Sequence, residues 1–358
     1  MNVFKGVTSV DRPKIVSRSL GSAFCAFLIV LSLSANSIGG KVLLLGDDWM
    51  LSDYAFDLDP HAAATLADSV VEFLVGEGPA SFLVISDTLA ELPFGPRGVL
   101  GSELANWMSG QGHSWTIDPL ADITHSALAP YSAVMLAGQA ASGAENGLAL
   151  QQYVLAGGSV LLMGGTGDFG SAQSEAEAWS PFLNRFGLSL GVELVATNPG
   201  ALAQLPVQDG VGPFSTTASN VVWGHGQQAL ANTAEHSRTN VLLHGDFSGF
   251  GGGPQGSLND LVVAYESPFL AGDFNDDGTV DAADYTTWRD ALGTAALLAG
   301  DATPESIGGA DHDTWRLNYG RTAPSALHAA ARAVPEPCGV GFVAMSILLS
   351  GCLGGSRT

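Results

Sequence analysis

The sequence predicts an α/β protein with a doubly wound, mostly parallel sheet, a β-rich second half and a small α-helical module near its C-terminus. Up to about residue 186, short apolar runs alternate with stretches of helical periodicity, which is typical of parallel strands covered on both faces by helices. After Gly187 the chain becomes rich in glycine and in β-forming residues. Helical periodicity returns after about residue 280.

The first half follows the strand–helix alternation in order. The predicted strands are Val42–Leu45, Phe82–Ile85, Ser114–Ile117, Ala133–Leu136 and Ser159–Met163. The predicted helices are Ala62–Val75, Val99–Met108, Glu145–Leu155 and Glu175–Phe186. In the second half we expect strands near Val221, Val241 and Val262.

The composition restricts the class of partner. The chain has 358 residues, which suggests about two domains, and a formal net charge of −22. Phosphate binding needs a basic surface, so nucleic acid and anionic membrane surfaces are excluded as expected partners. The apolar fraction of 46% is enough for a folded core.

Both ends of the chain have the pattern of export signals. Residues 1–37 read as a signal peptide, with a basic start, an apolar core at Ala23–Leu33 and a small-residue cleavage site at Ala35–Ser37. An uncleaved anchor is the alternative, although the apolar run is short for one. The three cysteines lie at Cys25, Cys338 and Cys352, outside the body of the chain, which therefore has no disulfide, thiolate nucleophile or cysteine zinc site.

The C-terminal tail begins with Val334-Pro335-Glu336-Pro337 and continues with an apolar run at Val340–Leu349. One basic residue, Arg357, stands near its end. This arrangement resembles a PEP-CTERM sorting tail. The resemblance implies processing by an exosortase-type enzyme, membrane contact only through the tail, and a final location that is secreted or on the cell envelope and outer surface. A weak tail anchor is the alternative.

These boundaries define five segments. The signal peptide covers 1–37, the α/β domain 38–266, a small C-terminal module 267–322, a linker 323–333 and the sorting tail 334–358.

The module contains one short acidic loop that predicts calcium binding. Oxygen-bearing residues occur there at the spacing of an EF-hand loop, with Gly278 at the sharp turn. The predicted ligands are Asp273, Asn275, Asp277, Thr279 (through its carbonyl), Asp281 and Asp284.

The loop is followed by a helix but preceded by a strand-like run and Pro268, unlike an EF-hand. The helix at Ala283–Gly293 is repeated at Ala310–Gly320, with Asp, Trp, Arg and Gly at a constant offset. A calcium loop with only an exiting helix, present twice, resembles a type I dockerin over about residues 271–321. The second loop keeps Asp301 and Asp311 but lacks the ligands between them and is one residue short.

The dockerin resemblance implies one intact calcium site and one degenerate loop. The two repeat helices are too short to be stable alone, so we expect them to pack Trp288 against Trp315 once calcium is bound. Dockerins often carry Ser-Thr before the last ligand to contact a cohesin, and Ala282 and Ala283 stand there in this chain. The expected partner is therefore open between a cohesin-like protein and exopolysaccharide. We expect loss of Asp273 or Asp284 to loosen the module and to leave the α/β domain folded.

The large domain resembles class I glutamine amidotransferase-like domains in the run from Tyr131 to Gly138 and in the run from Tyr153 to Gly165. Catalytic members of that class place a cysteine on the turn after such a strand, where this chain has Gly164-Gly165-Thr166-Gly167. The resemblance therefore implies a non-catalytic relative that does not hydrolyse glutamine. Gly165-x-Gly167-x-x-Gly170 also has dinucleotide-loop spacing, but no helix opens directly and no acidic residue follows at the required distance.

Catalytic candidates are limited to three carboxylates. Asp47 and Asp48 follow the first strand, at the edge where open α/β sheets bind ligands, and Asp168 follows a later strand. Such residues also cap helices. Two hypotheses result: an exported, envelope-associated, non-catalytic calcium-binding protein, or a secreted polysaccharide-active hydrolase that uses carboxylates among these three. We favour the first, because spacing alone assembles no catalytic constellation.

Overall fold

The computed structural model describes residues 40–87, 98–197, 202–216, 219–234, 238–250, 256–267, 270–294, 296, 298–301 and 306–322. The predicted signal 1–37, linker 323–333 and tail 334–358 lie outside the described residues. All described residues belong to one compact unit. None of the helices among them is long and apolar enough to cross a membrane.

The described residues form a mixed sheet of nine strands and a separate sheet of two. The strands are β1 (Lys41–Leu45), β2 (Ser81–Ser86), β3 (Ser114–Ile117), β4 (Ala133–Ala137), β5 (Ser159–Met163), β6 (Leu188–Ala196), β7 (Ala203–Gln208), β8 (Asn220–Trp223), β9 (His225–Ala231), β10 (Thr239–Asp246) and β11 (Leu258–Glu266). The order in the large sheet is β3-β2-β4-β5-β1-β11-β10-β7-β8, and β6 pairs with β9. The first five strands in that order are parallel, and the remaining four continue the sheet antiparallel.

The helices of the described residues are α1 (Asp53–Leu58), α2 (Pro60–Val75), α3 (Ser102–Gly110), α4 (His125–Leu128), α5 (Ala144–Leu155), α6 (Ala172–Leu183), α7 (Ala282–Ala291) and α8 (Gly309–Asn318). First-half helices lie against both faces of the large sheet, whereas α7 and α8 pack around a separate small core. Successive residues of a strand point to opposite faces. Leu43 and Leu45 of β1 accordingly join a core with α2 and α3, whereas Val42 and Leu44 join a second core with α5 and α6.

The α/β class and the parallel half of the sheet are confirmed, with β1 to β5 at or within one residue of the predicted runs. Strands β8, β10 and β11 contain Val221, Val241 and Val262, the residues near which strands were predicted. The predicted first-half helices are present, although the chain forms a 3-10 turn at the start of the second and at the end of the last. Strands β6, β7 and β9 were not predicted.

The Tyr153-to-Gly158 segment has a clear steric role between α5 and β5. Gly157 has a φ of 98°, which favours glycine, and ends the helix. A Cβ on Gly158 would lie 2.4 Å from Cζ of Tyr153, so only glycine fits beside that ring. The Tyr153 hydroxyl donates to the carbonyl of Tyr131 at 2.9 Å. The motif therefore fixes the approach of α5 to the edge where β4 and β5 begin.

The C-terminal helices α7 and α8 form a repeated pair. Val280, before α7, hydrogen-bonds through its backbone to Gly320 and Arg321 behind α8. Ile307, before α8, does the same with Gly293 and Thr294 behind α7. Each helix is therefore held at its start by the segment that follows the other. The expected packing of Trp288 on Trp315 takes a different form, because the ring contacts run through Tyr285 and His312.

Candidate functional site

The acidic loop is folded by its own predicted ligands. Asp273 accepts hydrogen bonds from the backbone N–H groups of Asp277 at 3.0 Å and Gly278 at 2.8 Å. Asp284 accepts from Asn275 at 3.1 Å and from Asp281 at 2.7 Å. The first and last predicted ligands thus tie both halves of the loop together, which gives the chain a closed turn.

The remaining ligands continue this pattern along the loop. Asn275 accepts from the N–H of Asp277 at 3.1 Å, and Asp277 accepts from that of Thr279 at 2.9 Å. Asp281 accepts from Ala283 at 2.7 Å and caps the N-terminus of α7. Gly278 has a φ of 89°, as the sharp turn requires. The predicted ligands therefore lie around one short turn.

Two of these carboxylates are buried, which is costly for charged groups. Asp273 is 2% exposed and Asp284 is fully buried. Burial raises the pKa of Asp273 to about 6, and the negative charges of Asp276 and Asp284 act in the same direction. The hydrogen bond from the N–H of Gly278 acts in the opposite direction and lowers this pKa. Burial also raises the pKa of Asp284. A cation between the carboxylates would remove this repulsion.

The donor chemistry of the loop fits Ca²⁺. Among the described residues, no three His, Cys, Asp or Glu side chains are arranged as a metal-binding group. The predicted set also draws on the amide oxygen of Asn275 and the carbonyl of Thr279, both of which calcium accepts. An ionised carboxylate has about four lone-pair positions, so an oxygen that accepts one backbone N–H retains capacity for an ion. The oxygen-only set therefore suits a hard cation.

The second loop keeps the frame of the first. Asp301 and Asp311 are each 2% exposed, and Asp311 accepts from the N–H of Gly308 at 2.6 Å, as Asp284 does from Asp281. Ile307 is buried at the position that Val280 occupies in the first loop. The pairs Val280 and Ile307, Asp281 and Gly308, and Asp284 and Asp311 are separated by the same number of residues. The residue that the second loop lacks relative to the first therefore lies before Ile307. Residues 302–305 lie outside the described residues.

The carboxyl edge of the parallel strands holds Asp47 and Asp48, both fully buried. Asp47 caps the 3-10 helix Asp48–Leu51 by accepting from the N–H of Trp49 at 2.9 Å. Its other oxygen accepts from the N–H of Gly224 at 2.6 Å. Asp47 is therefore a helix cap, which is the alternative to a catalytic role that the sequence left open. Asp48 lies in the first turn of the same helix.

Strand β9 crosses this edge and fills it with Gln227, a residue that sequence reasoning missed. The Gln227 N–H donates to Gly46 O at 2.7 Å, directly after β1. Its side chain donates to the carbonyls of Ala172 at 2.6 Å and Gly191 at 2.7 Å, and accepts from Gly165 at 3.2 Å. A ligand-binding crevice between β1 and β5 is therefore closed by a fully hydrogen-bonded glutamine.

The turn after β5 is built from glycines and a buried acid. Gly165 and Gly167 have φ values of 70° and 74°, and a Cβ on Gly165 would lie 2.7 Å from Cα of Gly226. Glu175, on α6, accepts from the hydroxyl of Thr166 at 2.9 Å, and burial raises its pKa. Asp168 lies beside them, half-buried, and its carbonyl accepts from Gln139. The absence of a side chain on Gly165 therefore allows the backbone of this turn to approach that of Gly226 closely at the sheet edge.

The structure thus separates the predicted site residues into two groups. The six predicted calcium ligands lie in one loop, whereas Asp47, Asp48 and Asp168 lie in the α/β domain. A comparison with protein-family models gives no match, and comparisons with curated proteins and with solved structures give none either. The dockerin, amidotransferase and sorting-tail resemblances therefore rest on the motifs described above.

Proposed function

We propose that this chain is an exported, envelope-associated calcium-binding protein, which serves as a non-catalytic binding or structural component at the cell surface or in exopolysaccharide. The observation that carries the proposal is the loop from Asp273 to Asp284. It combines EF-hand spacing, a positive-φ glycine at the turn and two buried carboxylates. Calcium binding supplies positive charge to these carboxylates in addition to that of Arg238, which lies 3.5 Å from Asp273, and it contributes to the stability of the fold.

The finer description of the fold belongs to the same proposal. The helices α7 and α8 with their loops form a dockerin-like module with one intact site and one degenerate loop. The α/β domain is an amidotransferase-like domain without the nucleophile, since the turn after β5 carries Gly164 and Gly165. Reciprocal pairing of Val280 and Ile307 with the opposite repeat supports the first assignment.

The absence of catalysis is proposed on the geometry of the carboxyl edge. Open α/β sheets bind ligands there. In this chain Gln227 fills that edge, and Asp47 holds two backbone N–H groups instead of facing a cleft. The partners are accordingly sought at the surface of the protein: exopolysaccharide or a cohesin-like protein, with an exosortase-type enzyme as the processing partner of the tail.

Calcium titration calorimetry on the full-length chain tests the proposal. We expect one calcium ion per chain, and we expect Asp284→Ala to abolish the heat of binding, because it removes the ligand that closes the loop. The matched control is Asp311→Ala, which removes the equivalent buried carboxylate of the degenerate loop and leaves the titration unchanged. Absence of binding, two equal sites or an unchanged titration in Asp284→Ala would each contradict the proposal.

Export and partner are tested separately. Mass spectrometry of envelope material is expected to show a chain that lacks the segment up to about Ser37 and has a processed tail. An intact Met1 or an intact Arg357 contradicts one half or the other. Incubation of the same material with exopolysaccharide is expected to give retention without release of shorter chains, and release of shorter chains would support the hydrolase instead.

A further inference from the structure

One side chain of the calcium loop is held by the α/β domain. Asp276 stands between the predicted ligands Asn275 and Asp277 but is not itself a predicted ligand. Its carboxylate accepts from the Tyr265 hydroxyl at 2.6 Å and from the Ser267 hydroxyl at 3.0 Å, and it forms an ion pair with Arg238. We call Arg238, Tyr265 and Ser267 the aspartate clamp.

The clamp is anchored in the central sheet. Tyr265 is in β11, where it pairs with Val42 of β1 and Thr239 of β10, and its ring lies 4.8 Å from that of Phe186. The backbone carbonyl of Arg238 accepts from the N–H of Glu266 at 3.2 Å. The clamp therefore belongs to the end of the sheet opposite the carboxyl edge that Gln227 closes.

The clamp also contacts a predicted ligand. Nη2 of Arg238 lies 3.5 Å from Oδ2 of Asp273, the first residue of the loop. The Arg238 side chain is 15% exposed and that of Asp273 is 3% exposed, so this interaction is shielded from solvent. Arg238 thus faces two acidic groups of the loop from the domain side, and its Nη1 also donates to Ser267 at 2.7 Å, which holds the guanidinium in place.

Apolar packing reinforces the same junction. Ala299, two residues before Asp301 of the second loop, is 2% exposed and joins the core formed with α5, α6 and β11. Leu155 and Tyr265 face Ala299 and Gly300 across a residual space of about 10 Å³, which is room for at most one water molecule. Asp273 and Asp276 of the calcium loop line the same space, so this loop is also packed against the domain, whereas a flexibly tethered module would leave this surface in water.

We propose that the aspartate clamp is a docking site for the calcium-loaded loop, so that calcium binding stabilises the central sheet of the α/β domain. The inference rests on the proposed calcium site. Calcium orders Asn275 and Asp277, the residues on either side of Asp276, and so holds Asp276 in the position that the clamp recognises. Asp276 has a φ of 61°, a conformation that is unfavourable for most side chains and that this ordering maintains.

The coupling is reciprocal. If calcium favours the docked loop, then docking strengthens calcium binding by the same factor. The positive charge of Arg238 does not oppose the ion, because Asp276 neutralises it at the junction. At a free calcium concentration of about 100 times Kd, linkage limits the protection of a coupled segment to about 100-fold. Arg238 is thus a positioning residue that acts through Asp276.

Hydrogen exchange of the full-length chain, with calcium and with EGTA, measures this coupling at residues 238–246 and 258–267. We expect calcium to slow exchange there at least about tenfold in the natural chain. In Arg238→Met we expect calorimetry to show that calcium still binds, while the calcium-induced protection of these strands is lost. Arg316→Met is the matched control, because Arg316 forms only a solvent-exposed ion pair on α8, and it retains the full protection.

A second variant guards against misfolding of the first. Asp276→Asn tolerates the positive φ, removes the charge from the loop side and is expected to lose the same protection. A purely structural role of Arg238 would speed exchange equally with and without calcium, and that result overturns the coupling. Calcium binding without protection in the natural chain overturns the coupling alone, whereas absence of calcium binding overturns the proposed function as well.

Discussion

Trp288 and Trp315 make reciprocal hydrogen bonds across the repeated helices. Nε1 of Trp288 donates to the carbonyl of Gly308 at 2.8 Å, and Nε1 of Trp315 donates to the carbonyl of Asp281 at 2.7 Å. Each acceptor is the residue before the opposite helix. The two repeats therefore fix each other's helix starts, although only one of those starts, at Asp281, belongs to the proposed calcium site.

This asymmetry gives the first prediction. Trp315→Phe and Trp288→Phe each remove one hydrogen bond and keep the ring, so each is expected to lower the stability of the module by about 1 kcal/mol. Trp315→Phe also frees the backbone at the predicted ligand Asp281, and it is expected to weaken calcium binding about fivefold, whereas Trp288→Phe leaves the affinity unchanged. Calorimetry on both variants checks this, and an equal loss of affinity in the two would contradict it.

The second prediction concerns the buried acid Glu175. Burial raises its pKa, although hydrogen bonds from Thr166 lower it, so the folded protein favours the protonated form more than the unfolded chain does. This contribution to stability is fully present below the unfolded pKa of about 4.3 and is lost as pH rises through the higher folded pKa. A neutral side chain of the same shape at position 175 should therefore remove the loss of stability that accompanies ionisation at higher pH.

Glu175→Gln is therefore expected to match the natural chain in stability near pH 4 and to exceed it as pH rises through the folded pKa of Glu175, above which the difference levels off. Its amide oxygen still accepts from Thr166. Thermal unfolding across this pH range gives the comparison. Glu177→Gln is the control, because Glu177 is exposed on the same helix, and its difference from the natural chain should not follow the same course. A pH-independent effect of Glu175→Gln would refute the burial argument.

The parallel half of the fold could be predicted because burial on both faces leaves continuous apolar runs such as Leu43 to Leu45. Strand β9 could not, because its buried residues include Gln227, whose polarity is satisfied by carbonyls that lie far away in sequence. The position of β11 beside β1 also escapes periodicity, since it joins the two ends of the domain.

The candidate calcium loop could be proposed from the sequence for the opposite reason. Its predicted ligands lie within one short segment, and a calcium loop requires a fixed spacing of ligands. The clamp on Asp276 could not, because Arg238 and Tyr265 are isolated in the sequence and meet the loop only through tertiary packing. The sequence analysis expected that loss of Asp273 would leave the domain folded, and it did not include the contact of Asp276 with the clamp.

Because this contact joins the loop to the central sheet, we expect the domain of Asp273→Ala to remain folded but to unfold at a lower temperature.

The third prediction tests whether Gln227 closes the sheet edge. Gln227→Leu leaves the carbonyls of Ala172 and Gly191 and the N–H of Gly165 without this partner. Unsatisfied buried polar groups cost about 1–3 kcal/mol each, so we expect a loss of at least about 3 kcal/mol in the free energy of unfolding. Gln204→Leu, at an exposed position of β7, should change it by less than about 0.5 kcal/mol. Denaturant unfolding that ranks the two variants equally would contradict the prediction.

The last prediction decides between a structural and a catalytic Asp47. Its two oxygens accept from the N–H groups of Trp49 and Gly224. Asn has only one oxygen, so Asp47→Asn turns an N–H₂ group towards one of these donors, and we expect a loss of about 1–3 kcal/mol despite the equal size. Asp57→Asn, exposed on α1, should cost less than about 0.5 kcal/mol. If Asp47 were a catalytic base, the Asn variant would keep its stability and lose cleavage of polysaccharide. Unfolding and glycan cleavage measured on the same preparation therefore distinguish the two roles, because a cap lowers the first and a base removes the second.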